Sequence, residues 1–174
     1  VFSMASKWNS PLMWSHYADE HKGICVEYDI SNAACKKPKP VDYEGERGIA
    51  LSKISEYVIY SSSDALNEIE QKYFYTKANQ WNYEEEWRFV SEKQGLASVP
   101  FHLSALYFGM RCPYSIISTI VKLFNGSSSC TNFYHDYASQ RNFEILSSKV
   151  DVDELMASTP RPSMALAFSS IPKI

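Results

Sequence analysis

The sequence predicts a single α+β domain with a twisted, mainly antiparallel sheet and about three helices. Segments with strand-like alternation and segments with helical spacing follow one another without the regular strand–helix–strand repeat that a parallel sheet needs. Twelve Tyr, nine Phe and four Trp among 174 residues also favour a strand-rich core, or aromatic walls around a pocket. We assign residues 1–149 to this domain. Residues 150–174 are expected to form a Pro- and Ser-containing tail that is poorly structured or packs on a partner.

The first helix is predicted from its capping residues. Ser10 is a typical N-cap, and Pro11 suits the first helical position because its missing N–H is not needed there. We expect this helix to run to Lys22 and to end with Gly23 in the left-handed conformation. Further helices are expected over residues 64–77 and 113–124 from the spacing of their apolar residues.

Strands are predicted wherever apolar and polar residues alternate or a short apolar run occurs. The predicted strands are residues 1–6, 24–29, 41–43, 81–90, 96–102, 105–109, 132–137 and 142–146. Residues 92–95 are expected to turn the chain, so that residues 96–102 pair back on 81–90 as a hairpin. Residues 36–40 are expected to form a loop, and residues 52–60 fit either a strand or a helix.

Residues 81–90 are the densest mixture of aromatic and charged side chains in the chain. Strand side chains alternate between the two faces of a sheet, so Glu84, Glu86 and Arg88 are expected to share one face while the aromatic residues face the core. One interpretation is a carboxylate pair that acts as general base or holds a ribose hydroxyl, with Arg88 on an anionic group. The other, and the commoner, is a structural ion-pair ladder.

Three more side chains are candidates for a site beside this strand. His16 suits proton transfer near neutral pH, although it also fits a polar position at a helix edge. Tyr17 is expected in the core with its hydroxyl group hydrogen-bonded. Lys77 is a candidate phosphate ligand, but a cation near a helix end also complements the helix dipole.

Composition excludes several classes of protein. The net charge is −3 and basic residues do not cluster, so nucleic-acid binding is not supported. No apolar run reaches the ~18 residues of a membrane span, and the start of the chain is not a signal peptide. The four cysteines have no CxxC spacing, so we expect reduced, inert thiols in a cytoplasmic protein, and the histidines give no metal-site spacing.

Several motifs, in order along residues 2–146, resemble the bacterial domain of unknown function 2971. They are Phe2-Ser3, then Pro11-Leu12-Met13-Trp14-Ser15-His16-Tyr17-Ala18-Asp19 with His21-Lys22-Gly23, then Thr76-Lys77, Trp81-x-Tyr83-Glu84-x-Glu86-Trp87-Arg88 and Leu106-x-x-Gly109. That family implies no activity, and its members begin with a further segment that this sequence lacks. The order of the elements, with a late strand that carries a key glutamate, also resembles ADP-ribosyltransferase-like proteins.

The resemblance to ADP-ribosyltransferase-like proteins implies a nucleotide-like ligand, NAD or ADP-ribose, between the first helix and residues 84–88. If the protein is an enzyme, the expected reaction is transfer of ADP-ribose from NAD, with Glu86, Glu84 and His16 as the catalytic candidates. The ligand-binding candidates are Arg88, Lys77, Trp14 and Tyr17, and no metal ligand is expected. The alternative is a non-catalytic assembly module of a mobile-element or defence protein, in which the polar strand face and the tail form a homo-oligomer.

Overall fold

The computed structural model describes residues 1–31, 37–91, 95, 98–124 and 132–157. These residues form an α+β fold with two sheets, mostly antiparallel, which confirms the predicted fold class. The strands are β1 Phe2–Ala5, β2 Ile24–Asp29, β3 Lys39–Pro40, β4 Glu86–Phe89, β5 His102–Phe108, β6 Asn132–Ala138 and β7 Ile145–Lys149. The helices are α1 Pro11–Tyr17, α2 Leu51–Tyr60, α3 Ser63–Phe74, α4 Tyr114–Phe124 and α5 Val152–Ala157, with a 3-10 helix over Asn79–Glu84.

The smaller sheet has the order β1-β4-β3, and both pairings are antiparallel. β4 is its central strand, so each edge of β4 is already hydrogen-bonded. For this reason the predicted hairpin between residues 81–90 and 96–102 is wrong. β5 begins only at His102 and pairs with β2 and β6 instead. Residues 92–94 and 96–97 of that predicted hairpin lie outside the described part of the chain.

The larger sheet has the order β2-β5-β6-β7, and only the β5–β6 pair is parallel. One of its faces packs against α4 and α5, whose apolar residues recur at helical spacing. The other face packs against α1. Phe108 and Val121 form the centre of the first core cluster, and Trp14, Ala18 and Tyr107 belong to the second.

α1 begins as predicted and ends earlier than predicted. Ser10 Oγ accepts from the Met13 N–H, but the helix stops at Tyr17 instead of Lys22. The next residues turn back into β2 through three positive-φ residues, so the predicted left-handed cap at Gly23 is wrong. Gly23 is required for another reason, since a Cβ there would lie 2.9 Å from Ala18 Cα.

Three shorter segments differ from the predictions or complete them. Residues 52–60 are helical, within α2. β3 lies inside the predicted loop 36–40, whereas residues 41–43 form no strand of their own; Val41 N–H donates to Glu86 O and Asp42 forms an isolated bridge with Thr76.

The end of the described chain contains a short helix. Leu155 of α5 is buried in the core cluster beside α4. The boundary that we place at residue 149 stays a prediction, and residues 158–174 lie outside the described residues. Among the helices of the described residues, none combines the length and the apolar character needed to cross a membrane.

Candidate functional site

The polar side chains of residues 81–90 converge, but not by strand alternation. The segment begins as a 3-10 helix that ends at Glu84, and Glu85 then adopts a left-handed conformation with φ of 44°. β4 starts only at Glu86. This turn brings both Glu84 and Glu86 to the inside of the fold, where their side chains are only 5% and 6% exposed. The predicted continuous strand, with its aromatic face in the core, is therefore wrong: Trp81 and Trp87 are exposed.

The Glu86 carboxylate is surrounded by hydrogen-bond donors. Arg88 binds it with two nitrogens, Nε at 2.8 Å from Oε1 and Nη2 at 3.0 Å from Oε2. Ser3 Oγ donates to Oε1 at 2.6 Å, and Lys77 Nζ donates to Oε2 at 3.0 Å. Each oxygen thus accepts two hydrogen bonds, and this satisfies an ionised carboxylate.

Glu84 is the second carboxylate of the same network. Its Oε1 accepts from the Tyr17 hydroxyl at 2.8 Å, and its Oε2 forms an ion pair with Lys77. Lys77 therefore bridges the two glutamates, and its Nζ also lies 5.2 Å from the centroid of the Trp81 ring. Two carboxylates and two cations make the network neutral, which is the arrangement that allows charges to be buried.

The electrostatics follow from these contacts. Burial alone would raise the pKa of Glu86, but the hydrogen bonds from Arg88, Ser3 and Lys77 outweigh it and lower the pKa to about 2. Burial alone would lower the pKa of Lys77, but its hydrogen bonds to Glu84 and Glu86 outweigh this and raise it. The hydrogen bond to Glu86 raises the pKa of Arg88. The hydrogen bond to Glu84 raises the pKa of Tyr17. Glu86 is thus held ionised and is a weak proton acceptor.

A groove of about 670 Å³ lies beside the network, between β1, α1 and β2. Its aromatic lining residues are Phe2, Trp8, Trp14, Tyr17, Tyr28 and Trp87. Ser3 and Tyr17 belong both to this lining and to the glutamate network, so the network holds one wall of the groove. Lys7 is the one cation among the described lining residues, and it forms an ion pair with Glu85.

The structure brings together five of the seven predicted site residues: Glu84, Glu86, Arg88, Lys77 and Tyr17. Trp14 lines the groove but is a core residue, with its Nε1–H donating to Trp8 O at 2.7 Å.

The other two corrections concern the first helix. His16 is exposed, has its ring 6.2 Å from that of Tyr83, and does not line the groove. Tyr17 is not a core residue as predicted, since its ring is largely exposed; only the prediction that its hydroxyl is satisfied is confirmed.

Two partners of the network were not found from the sequence. Ser3 is opposite Arg88 in the β1–β4 register, and the Tyr43 hydroxyl accepts from the Glu86 N–H at 2.8 Å. Tyr43 stands in no motif, and the Phe2-Ser3 segment belongs to the DUF2971 resemblance without marking Ser3 as a site residue. Only a correct pairing of residues 1–6 with residues 86–89 would have indicated Ser3.

A third buried carboxylate was also missed. Asp136 on β6 is 1% exposed, and neither of its oxygens has a hydrogen-bond partner. Burial raises its pKa to about 7. It lies in a segment that alternates like any strand, so the sequence gives no sign that this carboxylate is unpaired.

The two described cysteines are free thiols, of which Cys112 is buried and Cys25 half-buried. Cys25 and Cys112 are free, and burial raises the pKa of both, that of Cys25 to about 11, which suits inert thiols. Within the ranges that the structure describes, no group of His, Cys, Asp and Glu side chains is arranged to hold a metal ion.

Comparison with known families bears directly on this site. Residues 13–89 match the model of the family described as "Protein of unknown function (DUF2971)". Over these residues the chain is similar to the DUF2971 family. The DUF2971 match includes Tyr17, Lys77, Glu84, Glu86 and Arg88, so nearly the whole glutamate network lies within it. No curated protein and no solved structure matches the chain.

Proposed function

We propose that this DUF2971 domain binds a small nucleotide-like ligand, of the NAD or ADP-ribose class, in the groove between β1, α1 and β2. The observation that carries the proposal is the groove itself: about 670 Å³, walled by aromatic rings and joined to a rigid charge network through Ser3 and Tyr17. Sites for ligands of this size are typically concave and mostly apolar, with a few fixed polar groups.

The lining suits the two chemical parts of such a ligand. Exposed rings such as Trp87 offer a stacking surface for a planar base. Lys7 is placed to meet a diphosphate, and its present partner Glu85 is an exposed carboxylate from which it can be released at little cost. Ser3, Tyr17 and Glu27 offer hydroxyl and carboxylate groups for ribose hydroxyls.

The geometry favours binding over transfer of ADP-ribose. Transfer would need Glu86 to polarise an acceptor or to hold a ribose hydroxyl, yet its two oxygens already accept four hydrogen bonds. Its low pKa also makes it a poor base. Arg88 is likewise engaged, with Nη1 donating to Phe74 O at 2.6 Å. We therefore infer that Glu86 positions the groove wall. A parent protein that consumes NAD, and a Glu86→Gln variant that does not, would contradict this inference.

Assembly through the polar strand face has less support, because Glu84 and Glu86 are buried. Assembly through residues 150–174 stays a prediction. A truncation after residue 157 keeps Leu155 in the core, so it tests the tail without disturbing the described fold. Loss of a dimer on that truncation would support the assembly module.

Isothermal titration calorimetry with ADP-ribose and NAD tests the binding proposal. We expect saturable binding that weakens at least about tenfold in Trp87→Leu, since one stacking surface is lost. Phe143→Leu is the control, because Phe143 is an exposed aromatic residue that neither lines the groove nor contacts the glutamate network, and it should bind like the parent. Absence of heat with both ligands, or equal weakening in the two variants, would remove the proposal.

A further inference from the structure

β1 and β2 are edge strands that border the same groove. β1 is the outer strand in the order β1-β4-β3, and β2 is the outer strand in the order β2-β5-β6-β7. The groove lining includes consecutive residues of both strands, 2–5 and 24–28. Because successive side chains of a strand point to opposite faces, such runs of lining residues show that the groove follows the strand edges.

The outer edge of β1 presents the backbone groups of Ser3 and Ala5 to the groove. Glu86, which is opposite Ala5, uses its own N–H and C=O on the side of β3. In an antiparallel pair only alternate residues exchange hydrogen bonds, so Ala5 and Ser3 point their N–H and C=O groups away from β4. Ser6, the next residue, does donate to Glu85 O, as this alternation requires.

The outer edge of β2 shows the same alternation. Gly109 N–H donates to Gly23 O, so Gly23 is a hydrogen-bonded position in the ladder with β5, and Cys25 is the next one. Ile24 and Val26 therefore direct their N–H and C=O groups to the groove. Among the described residues, these outward groups of the two strands have no hydrogen-bond partner. Such open edges are templates for a further strand.

The gap between the two edges has room for one strand. Paired strands are about 4.8 Å apart, so two edges that share an inserted strand lie about 10 Å apart. The Cα atoms of β1 and β2 are almost all more than 8 Å from each other. The Phe2 and Tyr28 rings, with centroids 5.6 Å apart, close one end of the gap. One inserted strand joins the two sheets into a single continuous sheet.

The two faces of the gap accept different side chains. α1 covers one face with Trp14 and Ala18, which are both buried. The opposite face carries Val26 and Trp87, which are 42% and 37% exposed, with Met4 opposite Trp87 in the β1–β4 register. An inserted strand should therefore alternate small residues towards α1 with large apolar residues that cover Val26 and Trp87.

The sequence contains such a segment after α5. Residues 158–174 lie outside the described part of the chain, and they include Met164-Ala165-Leu166-Ala167-Phe168, which alternates large apolar residues with alanine. The gap is within reach of this segment. Leu155 of α5 belongs to the core cluster on which Ile24 packs, and Ile24 borders the gap. Residues 158–163 can span up to about 20 Å.

We propose that residues 164–168 of this chain bind as a strand between β1 and β2 and so occupy the groove. Their N–H and C=O groups bond alternately to the two edges. The segment then competes with the nucleotide-like ligand and is an autoinhibitory contact. This competition rests on the proposed function, whereas the strand itself does not.

Amide hydrogen exchange followed by NMR, in the full chain and in a chain that ends at Ala157, tests the strand. The four outward N–H groups of β1 and β2 should exchange at least about tenfold faster in the shortened chain. Met4 and Cys25 are internal controls, because β4 and β5 keep their N–H groups bonded in both proteins. Equal exchange at the four outward groups would overturn the proposal.

A proline variant keeps the chain length unchanged. Ala165→Pro in the full chain should reproduce the faster exchange, since proline has no N–H and disrupts a central strand. Lys173→Pro, outside residues 164–168, should exchange like the parent. Faster exchange in both variants alike would contradict the assignment of the strand to residues 164–168.

A synthetic peptide of residues 162–170, titrated calorimetrically into the shortened chain, tests backbone recognition. We expect saturable binding that weakens at least about tenfold when either Ala165 or Leu166 is N-methylated, because a strand between two edges uses every N–H. An effect at only one of the two positions would overturn the insertion between both edges. No binding of the unmodified peptide would overturn the proposal.

Titration with ADP-ribose separates this inference from the proposed ligand. The shortened chain should bind ADP-ribose at least about tenfold more tightly than the full chain. Equal binding by both would overturn the occupancy of the groove, whereas no binding by either removes the ligand and leaves the strand to the exchange rates. Sedimentation of the full chain should show a monomer, and a dimer that is lost in the shortened chain would contradict binding within one chain.

Discussion

Glu86 and Asp136 are the same chemical group in two opposite environments. Both are almost fully buried, yet Glu86 accepts four hydrogen bonds while Asp136 has no partner. The first has its pKa lowered to about 2 and the second has its pKa raised to about 7. Burial penalises the charged form in both, so the partners alone decide the sign. A glutamate in a motif is thus a poor guide to reactivity until its donors are known.

The difference also separates structural from reactive positions in this fold. Around Glu86 every charge is compensated, so the network is suited to holding β1, α1 and β4 in place beside the groove. Asp136 is uncompensated, and an unpaired buried group destabilises the protein when it ionises.

Loss of the Glu86 charge is expected to change the free energy of unfolding most. Glu86→Gln leaves Arg88 and Lys77 without their shared counter-charge, and we expect the free energy of unfolding to fall by about 3 kcal/mol. Urea denaturation at pH 7 measures it. Glu85→Gln is a matched control one residue away, since Glu85 is exposed, and it should change stability little. Equal losses in the two variants would show that the network does not behave as a buried unit.

The second expected effect is an increase in the free energy of unfolding in Asp136→Asn, and it depends on pH. The raised pKa of Asp136 means that the folded state keeps a proton which the unfolded chain loses above about pH 4. Parent stability should therefore decline as the pH rises through about 4 to 7, and Asp136→Asn should remove that decline. The advantage of the variant over the parent is expected to grow by roughly 2–3 kcal/mol between pH 5 and pH 8. Glu70→Gln, at an exposed position on α3, should give a curve parallel to the parent's.

The smallest expected loss of stability is at Tyr17, which links the glutamate network to the groove. Tyr17→Phe removes the hydroxyl that donates to Glu84 Oε1 at 2.8 Å. Because the Tyr17 ring is largely exposed, water can replace the hydroxyl in part, and we expect a loss of about 1 kcal/mol. Tyr137→Phe, at another exposed tyrosine, is the comparison. A loss as large as that in Glu86→Gln would mean that Tyr17 supports much more than one hydrogen bond.

The sequence predicted which side chains meet better than it predicted the backbone conformation that brings them together. Glu84, Glu86, Arg88 and Lys77 do meet, as their motif indicated. However, Glu84 arrives from a 3-10 helix, and only the left-handed Glu85 lets it share a side with Glu86. A non-glycine residue with positive φ is uncommon and has no sequence signal of its own, so alternation gave the right set for the wrong reason.

The fold class followed from patterning, but the pairing of elements did not. The helix start at Ser10 was recognisable because capping is local chemistry. The hairpin at residues 96–102 failed because both edges of β4 are taken by strands distant in sequence. Asp136 escaped for a similar reason, since a missing hydrogen-bond partner is a property of the assembled fold.

A carbon-13 NMR titration of the side-chain carboxyl groups, with Glu86→Gln and Asp136→Asn used to assign the two signals, shows whether hydrogen-bond partners control these two carboxylates. We expect Glu86 to stay ionised down to about pH 2, while Asp136 takes up its proton near pH 7. Titration of both groups together near their ordinary pKa of about 4 would show that hydrogen-bond partners do not control these carboxylates.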